Sequence, residues 1–274
     1  PLTIIIQKQV KKSSTTTSLP SYCGMKGGFV MHELIFYCAG GSKALYYAAA
    51  FLMEEGAVFL PCPDHTVTHL LLPIPSFEAD GSIKGGGDLT EVLSRLPKTV
   101  TVIGGNLHRP ELKEYEVLDL LEDPWYLARN ASITAHCALE LALAKLPITL
   151  EKCPVLVIGW GRIGKCLAKL LGGLGACVTV AARNESRRVM IDALGYRSCS
   201  IENIRTENYR LIINTVPAMI LPTASGTALK IDLASTPGIA GRDILQARGL
   251  PGLLAPESSG ALIAQVITQW IKEK

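Results

Sequence analysis

"CPVLVIGWGRIGKCLAKLLGGLGACVTVAARNESRR", residues 153–188, is the stretch on which the fold turns. "PVLVI" is short and apolar at every position, the mark of a strand buried on both faces of a parallel sheet. It runs into Gly159-Trp160-Gly161-Arg162-Ile163-Gly164, then a helical "KCLAKLLGGLG" and a second strand "ACVTVAA". In such a strand–turn–helix the first glycine permits the tight turn and the second lets backbone approach a pyrophosphate. The third lets the helix pack closely, with its first N–H groups facing the phosphates. Gly159, Trp160, Gly161, Arg162, Ile163 and Gly164 are therefore expected to line a bound dinucleotide, Arg162 beside the pyrophosphate.

The tip of the second strand says which dinucleotide. NAD sites carry an Asp or Glu there for the ribose 2′-OH. Here Ala182 is followed by Arg183, Asn184, Glu185, Ser186, Arg187 and Arg188. A guanidinium pairs with a 2′-phosphate where a carboxylate would repel it. NADP(H) is thus favoured over NAD(H), with Arg183 as the main contact and Asn184, Ser186 and Arg187 or Arg188 at the helix start beside it. An ordinary solvated helix start is the competing reading of the same arginines.

The alternation extends both ways. Upstream, "ELIFYCAGG", "HTVTHLLLPIP" and "TVTVIGG" read as strands, and "SKALYYAAAFLMEEG" and "DLTEVLSRL" as helices. Residues 111–128 read as an acidic helix, and "NASITAHCALELALAKL" as a long amphipathic one leading into the glycine turn. Downstream, strands are expected at 153–158, 177–181, 210–216 and 229–234, with a last helix from Ser258 to about residue 272. The expected architecture is α/β: two Rossmann-like, doubly wound parallel-sheet domains joined by a hinge helix, with a cleft between them. The expected boundaries are a loose leader over 1–30, an N-terminal substrate-side domain over 31–128, an interdomain helix over 129–150 and a nucleotide-binding domain over 151–274. The leader is polar and aperiodic, and the expectation is that it is no signal peptide and that the natural start is Met25 or Met31.

Composition agrees with this plan. Of 274 residues 48% are hydrophobic, and mean hydropathy is +0.28. Yet no uncharged run reaches the roughly 18 residues of a membrane span, so the apolar content belongs to buried strands and small-residue helices. A net charge of +3 is too small and dispersed for a nucleic-acid surface. The eight cysteines form no CxxC pair, which reads as reduced thiols in a cytosolic protein, without a metal site.

Later strand ends complete the site. Asn214, Thr215, Val216 and Pro217 follow one strand, and Asp232, Ala234 and Ser235 end the next, both beside the expected nicotinamide ribose. Asp232 has a second reading, as a carboxylate that holds neighbouring backbone N–H groups.

At this point a resemblance becomes specific. "VIGWGRIGKCLAKLLGGLGACVTVAAR", "IINTVPAMIL", "IDLASTPG" and "GLPGLLAPESSGALIAQVI", with "NASITAHCALELA" ahead of them, resemble the A subunit of dipicolinate synthase of spore-forming bacteria over about residues 115–274. The resemblance implies an NADP(H)-using oxidoreductase that converts a dihydrodipicolinate-type dicarboxylate to dipicolinate, with a flavoprotein-like partner, the B subunit of dipicolinate synthase. It implies a cytoplasmic setting, in the mother cell where a sporulation role holds, and leaves a homo-oligomer open. It also implies that Asn130, Thr134 and His136 project from the hinge helix towards the cleft. The chain departs from the family pattern at His136–Cys137, where an acidic residue and a glycine are usual, and at Thr236 to Ile239. It is shorter over 222–228 and after 249.

Two carboxylates need cationic or N–H-rich anchors. Lys84 on the glycine-rich loop 77–88, Arg242, and the last helix N-terminus at Ser258, Ser259 and Gly260 are the candidates, with plain solvent exposure the competing reading of Lys84 and Arg242. Oxidising the ring also removes a proton, and His136 is the candidate base; Glu140, four residues on along one helix face, either orients it or only pairs with it in solvent. The other four histidines offer no partner pattern. Two other classes remain open: another two-domain NAD(P)-dependent dehydrogenase, and a nucleotide-binding subunit without chemistry of its own that serves a partner protein.

Overall fold

The computed structural model describes residues 34–224 and 226–274; the expected leader lies outside them. The chain divides into two units. One comprises the described residues up to Leu127 together with Pro256–Lys274, and the other is Ala128–Ala255.

In chain order the first unit holds β1 (Ile35–Cys38), α1 (Lys43–Glu54), β2 (Val58–Leu60), β3 (His69–Leu71), α2 (Leu89–Ser94), β4 (Thr101–Gly104) and β5 (Glu116–Asp119). All strand pairs are parallel, in the order β2-β1-β3-β4-β5. Alternate residues feed two apolar faces. Leu70, Leu72 and Val102 pack with Leu89 and Leu93 of α2, while Phe36, Leu71 and Ile103 of opposite parity are also fully buried. Ser42 caps α1 by accepting the Leu45 N–H, and Asp88 caps α2 by accepting that of Glu91.

Residues 111–128 depart from the expected acidic helix. They hold the end of a 3-10 turn (Pro110–Leu112), the edge strand β5, and the start of α3 (Pro124–Lys145). Glu116 and Val117 are exposed at this edge, which hides the strand pattern, and only Leu118 and Asp119 turn inward.

The second unit contains most of α3, then β6 (Pro154–Ile158), α4 (Arg162–Gly173), β7 (Cys177–Ala181), α5 (Glu185–Ala193), β8 (Arg197–Cys199), β9 (Leu211–Asn214), β10 (Leu229–Asp232), β11 (Ile244–Gln246) and α6 (Leu250–Leu254). Its sheet order is β11-β10-β9-β6-β7-β8, all parallel. This is the doubly wound Rossmann order, with its reversal between β6 and β9. Val155, Val157, Leu211, Ile213 and Ile231 face a core shared with Ala135, Ala138 and Ala142 of α3, Leu167 and Leu171 of α4 and Ile191 of α5. Leu156, Ile158 and Ile212 face the other way, against Leu221, Ala228 and Ile239 of the connecting segments.

The closing helix, α7 (Pro256–Lys272), packs on α1 and is grouped with the first unit. Gly260 brings the helices together, since a Cβ there would lie 2.7 Å from both the Ala44 carbonyl oxygen and the Ala48 nitrogen.

Candidate functional site

Ligands of open α/β sheets lie beyond the carboxyl ends of the strands where the order reverses. In the second unit that place is the turn after β6, and each glycine there has a distinct physical reason. Gly159 has φ +103° and no room for a side chain, because a Cβ would come within 2.6 Å of Thr215 Oγ1 and 2.7 Å of Val216 Cγ2. At Gly164 a Cβ would collide with the Gly159 carbonyl oxygen, so glycine alone lets α4 start against the turn. Gly161 differs: it caps α4, is exposed, and has nothing within 4 Å of an added Cβ. Two glycines of this turn are thus packed and the middle one is open, the arrangement that a pyrophosphate-binding turn requires.

Around this turn, Trp160 is half-buried, with Tyr196 edge-on at 6.1 Å between centroids and Lys165 Nζ 5.9 Å from its ring centre. Arg162 is exposed, and Ile163 packs on the core.

At the tip of β7, Arg183, Asn184, Ser186 and Arg187 are exposed. Asn184 caps α5 by accepting the Arg187 N–H at 3.3 Å and also takes a hydrogen bond from the Ser186 hydroxyl at 2.7 Å. Arg188 is anchored: its Nη1 donates to the carbonyls of Ala182 at 3.0 Å and Arg183 at 2.8 Å. Asn184 and Ser186 are thus engaged in forming the helix start, and Arg183 and Arg187 leave their charges in solvent.

After β9 and β10 the arrangement corrects the sequence reading. Asn214 and Asp232, expected to line the nicotinamide ribose, are fully buried. Asn214 Nδ2 donates to Asp232 Oδ1 at 2.8 Å and to the Val216 carbonyl at 3.0 Å, while its Oδ1 accepts the Val216 N–H. Asp232 accepts the N–H groups of Ala234 at 3.1 Å, Gly238 at 2.7 Å and Ile239 at 3.2 Å. Asp232 is the buried carboxylate that ties the two loops together, its second reading above. Thr215 is half-buried, and its hydroxyl donates to the Ile158 carbonyl at 2.9 Å. Ala234 is buried and its carbonyl accepts from Arg248 Nε, leaving Val216 half-buried and Pro217 and Ser235 exposed on loops held from below.

Gly238 escaped the sequence reading although this network depends on it. A Cβ there would strike Asn214 Nδ2 and lie 2.8 Å from the Ala218 carbonyl oxygen and 2.9 Å from that of Val216. Its only signal was the unusual run Thr236-Pro237-Gly238-Ile239.

The expected catalytic and substrate residues are scattered by burial. His136 is exposed, and no hydrogen bond or ion pair joins it to Glu140 among the described residues. Thr134 is buried and its hydroxyl donates to the Asn130 carbonyl at 2.7 Å, within its own helix. Lys84 is half-buried on the 77–88 loop, whose backbone folds over the β1–α1 turn: Gly41 N–H donates to the Lys84 carbonyl at 2.9 Å. Arg242 and Ser258 are exposed. Ser259 does not fit a substrate contact, since its hydroxyl is buried within α7 without a partner among the described residues. His108, read as partnerless, pairs with Glu122 at 2.6 Å, and that carboxylate raises its pKa above the usual imidazole value. Asp119 stands beside them but accepts the N–H groups of Asn106, Leu107 and Leu121.

A parallel sheet in Rossmann order, with this glycine turn at its reversal, has the α/β fold of NAD-binding dehydrogenases. No family model matches the chain. In sequence it is similar to the A subunit of dipicolinate synthase of Bacillus subtilis (strain 168), at 26% identity over 239 residues, covering 77% of this chain and 80% of that protein. Among solved structures it is similar to the A subunit of dipicolinate synthase from Bacillus halodurans, with TM-score 0.76 and 23% identity over 89% of this chain and 99% of that one. The transhydrogenase from Sinorhizobium meliloti shares the fold at TM-score 0.65 and 13% identity, over 87% of this chain and 93% of that one. The resemblance drawn from "NTVPAMIL", "LPGLLAP" and their companions is the one that these comparisons return.

Proposed function

We propose that the chain is an NADP(H)-dependent oxidoreductase subunit of dipicolinate synthase type, converting a dihydrodipicolinate-type dicarboxylate to dipicolinate. The observation that carries the reading is the turn after β6, packed at Gly159 and Gly164 and open at Gly161, in a chain whose curated relative is the A subunit of a dipicolinate synthase. When bound, the nicotinamide supplies hydride transfer. The Gly161 turn, the start of α4 and Arg162 hold the pyrophosphate, and Arg183 and Arg187 face the 2′-phosphate. Thr215, Val216, Pro217 and Ser235 border the nicotinamide end, on loops fixed by Asn214, Asp232 and Gly238. Lys84, Ser258 and Arg242 are the candidates for the substrate carboxylates, and His136 the candidate acceptor of the ring proton. The relative's designation as a subunit supports a partner subunit; the proposal takes that partner to be a flavoprotein-like B subunit and the setting to be cytoplasmic, in the mother cell of a sporulating bacterium. No helix among the described residues is long and apolar enough to cross a membrane.

The test is an assay of the purified chain with dihydrodipicolinate and NADP⁺ or NAD⁺, with and without a candidate B subunit. Dipicolinate should form, faster with NADP⁺. Faster turnover with NAD⁺ would overturn the cofactor assignment. A second reading, a nucleotide-binding subunit without chemistry of its own, is favoured by the exposed His136, which has no partner among the described residues. Nucleotide binding without turnover under every condition would establish it.

A further inference from the structure

We propose that Glu202 is a specificity-determining residue of the dinucleotide site, opposing a 2′-phosphate from the turn after β8, next to the β7 tip where the arginines gather. The proposal rests on the reading of residues 159–188 as a dinucleotide site, and concerns how that site weighs NADP(H) against NAD(H).

Strands β7 and β8 run parallel with Ala181 opposite Cys199, and the Ala182 N–H donates to the Cys199 carbonyl at 3.1 Å. The chain therefore leaves the sheet twice, side by side. From β7 come Arg183 and Asn184; from β8 comes Ser200, which opens a 3-10 turn (Ile201–Asn203) with Glu202 exposed on it. Arg188 is fixed to the same tip by its bonds to the Ala182 and Arg183 carbonyls. Two guanidinium groups and one carboxylate thus share the end of this strand pair. The Glu202 carboxyl is held below the usual carboxylate range by its own backbone N–H, then by Ser200, and also by Arg188 and Arg183, so it is ionised at neutral pH.

The consequence is a divided preference. A ribose 2′-phosphate at this tip is attracted by Arg183 and Arg187, with Arg188 adding to the positive charge, and is repelled by Glu202. A plain 2′-OH meets a carboxylate able to accept its hydrogen bond, the role played in NAD sites by an acidic residue at the strand end. The neighbouring strand thus restores part of what the "AAR" ending removes, and discrimination is shallower than the arginines alone would give.

The experiment is a fluorescence titration of NADPH and NADH into the intact chain, E202Q and R183M, at low and at roughly 0.5 M salt. Glutamine keeps the size of an exposed side chain and removes only its charge. At low salt E202Q should bind NADPH about fivefold more tightly, with NADH unchanged or weaker, and the gain should fall below about twofold at high salt. R183M should shift the ratio the other way. An unchanged NADPH-to-NADH ratio in E202Q, an equal change for both nucleotides, or a gain insensitive to salt would each overturn the proposal. The unmodified chain tests the underlying reading separately. If it prefers NADH, the NADP(H) assignment falls, while a ratio that still moves with Glu202 sustains this inference. If it binds neither nucleotide, both fall.

Discussion

Single residues separate binding from folding at the glycine turn. Gly161 has φ −81° and ψ −168°, extended backbone open to any residue, and free space above it. Gly161→Ala should leave the melting temperature unchanged and weaken NADPH at least about tenfold, by blocking the pyrophosphate's approach. Gly164→Ala should lose affinity and also about 2–3 kcal/mol of stability, because its Cβ meets the Gly159 carbonyl. Equal melting temperatures for the two variants would refute this division. His69 offers a pH test. It is buried, stacked on Phe36 with centroids 4.8 Å apart, and burial, aided by Lys274, lowers its pKa from 6.5 to about 4. The unfolded chain then binds the proton more tightly, so His69 stabilises the fold fully above pH 6.5. That stability is lost as pH falls towards 4, by about 3 kcal/mol. Urea unfolding of His69→Gln should show a shallower loss over this window; an unchanged slope would exonerate the residue.

At the scale of elements, α7 depends on its crossing with α1. Thr268 Oγ1 donates to Glu55 Oε2 at 2.7 Å near one end of the contact, and Gly260 gives the close approach at the other. Gly260→Ala should cost about 3 kcal/mol in chemical denaturation, since backbone of α1 stands in the way of the new methyl group. A cost below about 1 kcal/mol would mean that the helices slide apart freely. The legibility of elements followed burial. "PVLVI" and "CVTVA" are central strands, apolar on both faces, and their bounds were readable to within a residue or two. Strands β2, β5, β8 and β11 have three or four residues each, lie at sheet edges and expose part of their length, so they lack the apolar run that marks a buried strand.

For the molecule as a whole, the Rossmann-order unit is Ala128–Ala255, and nucleotide effects should concentrate there. Hydrogen exchange with NADPH should slow most at 155–165 and 211–218, the two strand ends that flank the reversal of sheet order. A larger slowing within 34–127 would place the site elsewhere. The sequence by itself determined the class of fold, the position of the glycine turn between β6 and α4 and the family likeness, because these rest on local order: buried strands, three glycines at fixed spacing, and contiguous motifs. Tertiary structure alone decided the rest. It packed α7 on α1 at Gly260 and at the Thr268–Glu55 bond, turned Asp232 and Asn214 from expected ligand contacts into a buried tie with Gly238, and set Glu202 beside arginines 14 and 19 residues away. Those outcomes depend on which strand ends become neighbours, and strand order is a property of the folded sheet rather than of any segment of the chain.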